Sequence, residues 1–128
     1  MIEADVQNTI LCAAPEQSCI LMRNNVGALT DADGRIVRYG LMNTSKQQNE
    51  RIKSSDLIGI TTVIITPEMV GQRVGIFTAV EVKRTDWQRS ETDKHEIAQE
   101  AFIAWVKARG GFAGFANSLD SFLKILQK

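Results

Sequence analysis

Two carboxylates and a lysine in the middle of this 128-residue chain have types and a spacing that could bind a metal ion. Glu81 and Lys83 are two residues apart, so in a β-strand both side chains leave the same face. Apolar and β-branched residues predict strands over 56–66 and 74–83, which can pair as a hairpin. In that hairpin Asp56 lies opposite Lys83 and diagonally across from Glu81. Two carboxylates so placed can share one Mg²⁺ or Mn²⁺ ion, since both metals prefer hard oxygen ligands.

Such a set of residues has the chemistry for phosphodiester hydrolysis. A bound metal polarises a phosphoryl oxygen and lowers the pKa of a bound water. The Lys83 ammonium would orient that water or stabilise the developing negative charge. A Glu-x-Lys pair also occurs as a simple cross-paired ion pair at an exposed strand end, so the interpretation depends on Asp56. A register slip of one residue would turn Asp56 to the opposite face.

The elements that must position these residues alternate between helices and strands. Helices are predicted over 2–14, 93–108 and 118–127, and strands over 18–23, 36–40, 56–66, 74–83 and 112–116. Asp31, Asp33 and Gly34 mark a turn. The polar segment 41–55 is predicted to be a long loop. This order predicts a single α/β domain over 1–128, with helices flanking a mixed central β-sheet.

The helix over 93–108 carries two further signals. Thr92 or Asp93 can cap its N-terminus, and Glu96 then completes a variant of the capping box. One apolar stripe contains Ile97, Ala101, Trp105 and Ala108. Trp105 is therefore expected to lie in the core.

The composition is that of a globular domain and excludes several other classes. Hydrophobic residues make up 44% of the chain, and no apolar run approaches the ~20 residues of a membrane helix. The N-terminus lacks the basic start and apolar run of a signal peptide. Cys12 and Cys19 are too few for a disulfide framework and have no His or Cys cluster nearby that would indicate zinc. We therefore expect a soluble cytoplasmic protein with no membrane partner.

Charge is balanced overall, with 15 basic and 15 acidic residues, but it is unevenly distributed. The segment 35–55 holds five basic residues against the single acid Glu50, whereas 1–22 holds three acids and no base. Such a positive segment can hold a phosphate backbone beside a metal site, although an ordinary solvated loop has the same composition. The predicted phosphate-binding residues are Arg38, Lys46, Arg51, Lys53, Arg84, Arg89 and Lys94.

Six short motifs, taken in their order along the chain, resemble one nuclease family. They are Arg23-Asn24-Asn25-x-Gly27, Arg38-Tyr39-Gly40-Leu41, Ser55-Asp56-Leu57-Ile58-Gly59, Ala79-Val80-Glu81-Val82-Lys83, Gln99-Glu100-Ala101-Phe102 and Gly110-Gly111. Together they resemble the VRR-NUC domain, the virus-type replication-repair nuclease module of the PD-(D/E)xK superfamily, in its stand-alone phage form. The resemblance covers about residues 3–120. The chain departs from the pattern in having Ser55 for the superfamily's proline, and Lys53-Ser54-Ser55 where relatives often have a glycine.

The resemblance implies a restriction-endonuclease-like core and Mg²⁺- or Mn²⁺-dependent, structure-selective DNA cleavage. Asp56 and Glu81 would be metal ligands, as would the backbone carbonyl of Val82. Lys83 would be the lysine of the Glu-x-Lys element. Small stand-alone members are similar to Holliday-junction resolvases that work as homodimers. The implied substrate is therefore branched DNA, and the implied location is the cytoplasm of a bacterium or a phage-infected cell.

Other polar and aromatic residues have a supporting role in one interpretation and an ordinary one in another. The resemblance implies that Gln99 reaches back to the active site, whereas a helical glutamine is most often solvent-facing. It also implies that Glu3 contributes to the metal, although a first-turn acid stabilises a helix N-terminus equally well. His95 is either a general base or an exposed first-turn residue. Trp87 either stacks on an unpaired base or covers the sheet edge.

Two other functions compete with a DNA nuclease. A non-catalytic nucleic-acid-binding module on a nuclease-like fold would use the same basic residues without cutting. The presence of Asp56, Glu81 and Lys83 together favours catalysis over this alternative. An enzyme directed at RNA is the third possibility, because RNA is recognised in several ways that leave no single aromatic motif.

Overall fold

The computed structural model describes residues 2–126 of the chain. These residues form four α-helices, which are α1 (Glu3–Ala13), α2 (Lys46–Arg51), α3 (Lys94–Ala108) and α4 (Leu119–Ile125). They also form six strands, which are β1 (Cys19–Arg23), β2 (Gly27–Thr30), β3 (Ile36–Tyr39), β4 (Leu57–Thr61), β5 (Thr78–Val82) and β6 (Phe112–Ala116). Short 3₁₀ helices lie at Ala14–Gln17 and Pro67–Met69. The fold is therefore of the mixed α/β class.

The chain divides into two compact units, Met1–Thr61 and Thr62–Lys128. The six strands of the described chain pair two by two, as β1 with β4, β2 with β3 and β5 with β6. No helix within residues 2–126 is long and apolar enough to cross a membrane.

In the first unit, β1 and β4 pair antiparallel from Cys19 opposite Thr61 to Arg23 opposite Leu57. The two backbones come unusually close at Gly59, where an added β-carbon would collide with the carbonyl oxygen of Ile20. A side chain at this position would push the strands apart, so glycine is required by the close approach. Asp56 lies one residue before β4, and its carbonyl accepts a hydrogen bond from Asn24 N at 2.9 Å.

The β2–β3 hairpin confirms the predicted turn. Asp31 Oδ1 accepts hydrogen bonds from the amides of Asp33 and Arg35, and Gly34 has the positive φ of 81° that such a turn uses. Strand β2 was not predicted from the sequence, and it is the partner of β3.

A buried asparagine fastens the end of this hairpin to the segment that follows it. Asn43 is 4% exposed, and its amide nitrogen donates to the carbonyls of Gly27 and Tyr39 at 2.8 and 2.9 Å. Its oxygen accepts from Arg38 Nη1 at 3.1 Å. Beyond it, α2 begins after Ser45, whose hydroxyl accepts from Gln48 N. The prediction of an irregular loop over 41–55 is therefore wrong for the part that forms α2.

In the second unit, β5 and β6 are parallel, with Thr78 opposite Phe112 and Val82 opposite Ala116. Parallel neighbours need a crossover connection, and α3 supplies it. The helix ends where Gly110 takes a φ of 85°, the left-handed conformation that glycine adopts freely. Both α3 and α4 pack on β6. The buried apolar residues of this unit include Val106, Ala113 and Ala116.

The buried face of α3 differs from the predicted apolar stripe. Trp105 is half-buried, but Ile97 is 46% exposed, and Ala101 and Ala108 are exposed as well. The face with the least exposed side chains contains Glu96, Gln99, Ile103 and Val106. Apolar residues occur on several sides of this helix, so their period alone did not determine which side meets the strands.

The predicted hairpin of 56–66 with 74–83 is wrong, because β4 pairs with β1 and β5 pairs with β6. The regular strands are also shorter than predicted. The β1–β4 ladder stops at Cys19 because Ser18 before it takes a left-handed φ of 56°. The apolar residues beyond Thr61 have no strand partner in the described chain, and Ile64 is 87% exposed.

The close approach at Gly59 gives a test of this strand pairing. Gly59→Ala should lower the free energy of unfolding by about 1–3 kcal/mol, because the added carbon forces β1 and β4 apart. Urea unfolding followed by circular dichroism measures the change. Gly75→Ala is the control, since nothing lies within 4 Å of an added carbon there. It should shift stability by no more than about 0.5 kcal/mol. Equal effects of the two substitutions would contradict the described ladder.

Candidate active site

The Glu-x-Lys element lies at the end of β5 in the second unit. Glu81 is in the strand, opposite Phe115, and Lys83 follows the last strand residue. The amide of Lys83 continues the parallel pairing by donating to the carbonyl of Ala116 at 2.8 Å. Because extended residues alternate, Glu81 and Lys83 share one face, while Val82 between them is 76% exposed. The predicted same-face placement is thus reproduced by the backbone.

Gln99 on α3 contacts Lys83 and shares a cavity with Glu81. Lys83 Nζ donates to Gln99 Oε1 at 2.8 Å. Glu81 and Gln99 line the same cavity, of about 360 Å³, between β5 and α3. Gln99 is half-buried, so the solvent-facing alternative is wrong. The structure brings together three of the predicted site residues, Glu81, Lys83 and Gln99.

The orientation of the Gln99 amide follows from its two partners. An ammonium group can only donate, so Gln99 must turn its oxygen to Lys83. Its amide nitrogen then faces His95 Nε2 at 3.2 Å. His95 itself is an exposed residue of the first turn of α3.

Glu96 is a member of this cluster that the sequence did not indicate. It is only 7% exposed. Its Oε1 accepts from Trp87 Nε1 at 2.5 Å, and its Oε2 accepts from the amide of Ser90 at 2.7 Å and from Arg89 Nη1 at 3.3 Å. Lys83 Nζ lies 4.0 Å from Glu96 Oε1. The only available signal was its position three residues before Gln99, on the same side of the helix.

The predicted capping box is half right. Asp93 is the N-cap, and its carboxylate accepts from the amides of His95 and Glu96. These bonds lower the pKa of Asp93, and the Glu96 amide contributes most. The Glu96 carboxylate, however, binds the amide of Ser90 instead of the amide of Asp93. The reciprocal bond, from the Asp93 amide to the Glu96 carboxylate, does not form because that carboxylate accepts hydrogen bonds from Trp87 and Ser90.

Aromatic rings surround the Lys83 ammonium. Its Nζ lies 5.8 Å from the ring centre of Trp87 and 5.5 Å from that of Phe115. The two rings contact each other, with centres 5.0 Å apart. Trp87 therefore covers Phe115 of β6, as the sheet-edge alternative predicted. The Lys83 side chain is only 15% exposed, which restricts the ammonium to a small volume.

Asp56 and Glu3 belong to the first unit, where they line one cleft of about 500 Å³ with Gln7 of α1. Asp56 also borders a second cleft, of about 710 Å³, together with Asn25 and Lys53. Both carboxylates are exposed. The structure thus brings together the two predicted acids of this unit. The predicted hairpin, which would bring Asp56 close to Glu81, does not form. The shared role of the two residues as metal ligands stays a prediction from the motif resemblance.

Each unit offers carboxylate oxygens, the hard ligands that Mg²⁺ and Mn²⁺ prefer, from Glu3 and Asp56 in the first unit and from Glu81 in the second. None of the three side chains forms a hydrogen bond or ion pair with another residue in 2–126. Within the described chain, no three His, Cys, Asp or Glu side chains gather as a metal centre.

The predicted phosphate-binding residues of the first unit are partly engaged. Arg38 is held by the buried Asn43, as described above. Lys46 pairs with Glu50 at 3.9 Å on the exposed face of α2. Lys53 Nζ donates to the carbonyl and side-chain oxygens of Asn49, at 3.1 and 2.8 Å. Arg51 is exposed in the last turn of α2.

Around β5, too, some of the predicted phosphate-binding residues contact protein carboxylates and others are exposed. Arg84 forms an exposed pair with Asp86 at 3.5 Å. Arg89 is half-buried and contacts both Glu96 and Glu100, so its guanidinium is committed to protein carboxylates. Lys94 is exposed at the start of α3.

Comparison of the chain with models of known protein families, with curated proteins and with solved structures found no match.

The buried carboxylate of Glu96 predicts an acid-dependent loss of stability. The Trp87 indole, followed by the Ser90 amide, lowers the pKa of Glu96 below its ordinary value of 4.5, against the opposing effect of burial. A lowered pKa in the folded state stabilises it above the unfolded-state pKa, and this contribution is lost as the pH falls. In urea unfolding, the wild-type midpoint should exceed that of Glu96→Gln at neutral pH. The gap should close below about pH 4.

A neighbouring acid supplies the control for this titration. Glu91 is exposed, and Glu91→Gln should leave the pH dependence of the midpoint unchanged. A wild-type to Glu96→Gln gap that stays constant across the acid range would contradict the described contacts of Glu96.

Proposed function

We propose that this chain is a metal-dependent endonuclease of the VRR-NUC type that hydrolyses phosphodiester bonds in branched DNA, such as Holliday junctions. The observation that carries the proposal is the contact of Gln99 with the Glu-x-Lys element, 2.8 Å from Gln99 Oε1 to Lys83 Nζ. The motif resemblance gives both elements active-site roles although they are 16 residues apart. Their contact supports those roles with an observation that is independent of the motifs.

The restriction-endonuclease-like core belongs to the same proposal. Two features support it, the parallel pair β5–β6 joined by α3 and the antiparallel pair β1–β4. These are the two kinds of pairing that a mixed central sheet contains. The Glu-x-Lys element then lies at the end of β5, and the loop 83–93 connects it to the helix that bears Gln99.

The carboxylates of Glu3, Asp56 and Glu81, with the carbonyl of Val82, are the proposed ligands of Mg²⁺ or Mn²⁺. When bound, the ion would polarise a phosphoryl oxygen and supply a water of lowered pKa. The protein would supply carboxylate oxygens that are not already engaged in other bonds. The absence of competing bonds to Glu3, Asp56 and Glu81 within the described residues supports that role.

Lys83 is the proposed cationic group at the scissile phosphate. One of its three hydrogens is donated to Gln99, and the rings of Trp87 and Phe115 limit where the ammonium can move. The remaining hydrogens can bind a phosphate oxygen as negative charge develops on it. Gln99 fixes the ammonium before substrate arrives, so little reorganisation is required at the moment of reaction.

Exposed cations are the proposed contacts to the DNA backbone. Arg51 and Lys94 are exposed, and the pairs of Lys46 and Arg84 are solvated ion pairs that contribute little and exchange readily for phosphate. Symmetric cutting of a junction requires two active sites related by a two-fold axis, so the active form is proposed to be a homodimer. A location in the cytoplasm of a bacterium or an infected host goes with this substrate.

Cleavage of end-labelled DNA tests the proposed function. Wild-type protein should cut a four-way junction in Mg²⁺ or Mn²⁺ but not in EDTA, and should prefer it to a flap or a linear duplex. Glu81→Gln and Lys83→Ala should each cut at least about 100-fold more slowly, because each removes a group that acts on the reacting phosphate. Junction affinity, measured by mobility shift in Ca²⁺, should stay within about threefold for both variants.

A matched acid-to-amide control is Glu16→Gln, at an exposed residue of the first 3₁₀ helix. It should cut at the wild-type rate. Tight junction binding with no cutting by wild-type protein would overturn the nuclease and favour the non-catalytic binding module. Preferential cutting of RNA would favour the RNA-directed alternative.

The homodimer is tested separately by sedimentation velocity, with and without a four-way junction. We expect a dimer on the junction, because one copy carries one Glu-x-Lys element. A monomer in solution and on DNA would exclude the resolvase form while leaving the nuclease chemistry to the cleavage assay.

A further inference from the structure

We propose that Glu96 is a positioning residue of the candidate active site, which holds the Lys83 ammonium and the chain that follows it in place. This inference rests on the proposed function for its catalytic consequence, but its structural part can be tested without DNA. No motif of the resemblance includes Glu96.

The burial of Glu96 is the first argument. Apart from Asn43, it is the only polar or charged side chain among residues 2–126 that is buried. Burying a carboxylate costs free energy unless hydrogen bonds and opposite charges compensate it. Glu96 therefore favours the conformation in which its partners stay in contact with it. All of those partners belong to the chain between Lys83 and Ser90.

The division of partners between the two oxygens is the second argument. Oε1 accepts from Trp87 and faces the Lys83 ammonium, whereas Oε2 accepts from Ser90 and Arg89. One carboxylate therefore ties the end of β5 and the loop after it to the first turn of α3. A neutral amide has one acceptor oxygen and could not serve both sets of donors.

The geometry around Lys83 is the third argument. Glu96 and Gln99 are three residues apart on α3, and both face Lys83, at 4.0 and 2.8 Å. Gln99 takes a hydrogen bond from the ammonium, while Glu96 supplies the negative charge that attracts it. Trp87 bonds to Glu96 and also presents its ring to the ammonium. Glu96 thus acts on Lys83 directly and through Trp87.

This arrangement also reassigns Arg89. The sequence predicted a contact with phosphate, but its guanidinium contacts Glu96 and Glu100 and lies 5.7 Å from the ring centre of Phe115. Arg89 balances the charge that Glu96 brings into the cluster. Arg89 is therefore assigned to the support of the Glu96 carboxylate and not to phosphate binding.

Acylation of Lys83 by an amine-reactive reagent tests the positioning without DNA. In wild-type protein Lys83 should react slowly, because its side chain is 15% exposed and held by Gln99. In Glu96→Gln its labelling, measured by mass spectrometry of the peptide, should rise severalfold, while that of the exposed Lys107 stays constant. Unchanged labelling of Lys83 in a folded Glu96→Gln would overturn the proposal.

Cleavage kinetics test the catalytic consequence with two further variants. Glu96→Gln should lower kcat by about 10- to 100-fold and change KM by less than about threefold, because the displaced lysine fails in the reaction and not in DNA binding. Trp87→Phe keeps the ring on Phe115 and the charge on Glu96, so it should retain more activity than Glu96→Gln. Glu91→Gln, an acid-to-amide change at an exposed residue of the loop before α3, should cut like wild type.

Urea unfolding of the same variants separates positioning from stability. If Glu96→Gln and Trp87→Phe lose stability equally but only Glu96→Gln loses kcat, the positioning role is supported. If the loss of kcat follows the loss of stability in both, Glu96 has a structural role only and the inference fails. If wild-type protein does not cut at all, the proposed function fails, and the labelling of Lys83 still decides whether Glu96 positions it.

Discussion

The parallel pairing of β5 with β6 is the constraint on which the candidate site depends. Parallel neighbours cannot be joined by a tight turn, so the chain must cross over between them, and α3 is that crossover. The helix thereby contacts both β6 and β5, the strand that carries Glu81 and ends just before Lys83. Gln99 and Glu96 meet the lysine because one connection brings both sides of the site together.

Local signals in the sequence predicted most of the helices and some of the strands. The helix over 93–108, its cap at Asp93 and the strand over 112–116 are confirmed. Strands over 56–66 and 74–83 were predicted too long and with the wrong partners, because β-branched residues report a preference for extended backbone and carry no information about pairing. Helix α2 was missed because its residues are all polar and show no apolar period, although Ser45 caps its N-terminus.

The site could be predicted in part for a related reason. Spacing within a strand placed Glu81 and Lys83 on one face, and the motif resemblance added Gln99. Glu96 was assigned to a cap, since helical period shows which residues share a face but not which face meets the sheet. Its partners Trp87 and Ser90 are reached only through the loop after β5, and that path is a property of the tertiary structure.

The anchoring of the segment after β3 has a consequence for conformational entropy. Asn43 holds its beginning, and Ser54 holds its end through bonds to Asn24 and to the carbonyl of Leu41. Ordering a residue costs about 1–2 kcal/mol, and for this segment that loss of freedom occurs during folding. An anion that binds its exposed cations meets a surface that is already fixed. Binding then costs little conformational entropy in this segment. The affinity for the anion is therefore determined mainly by the electrostatic attraction to its cations.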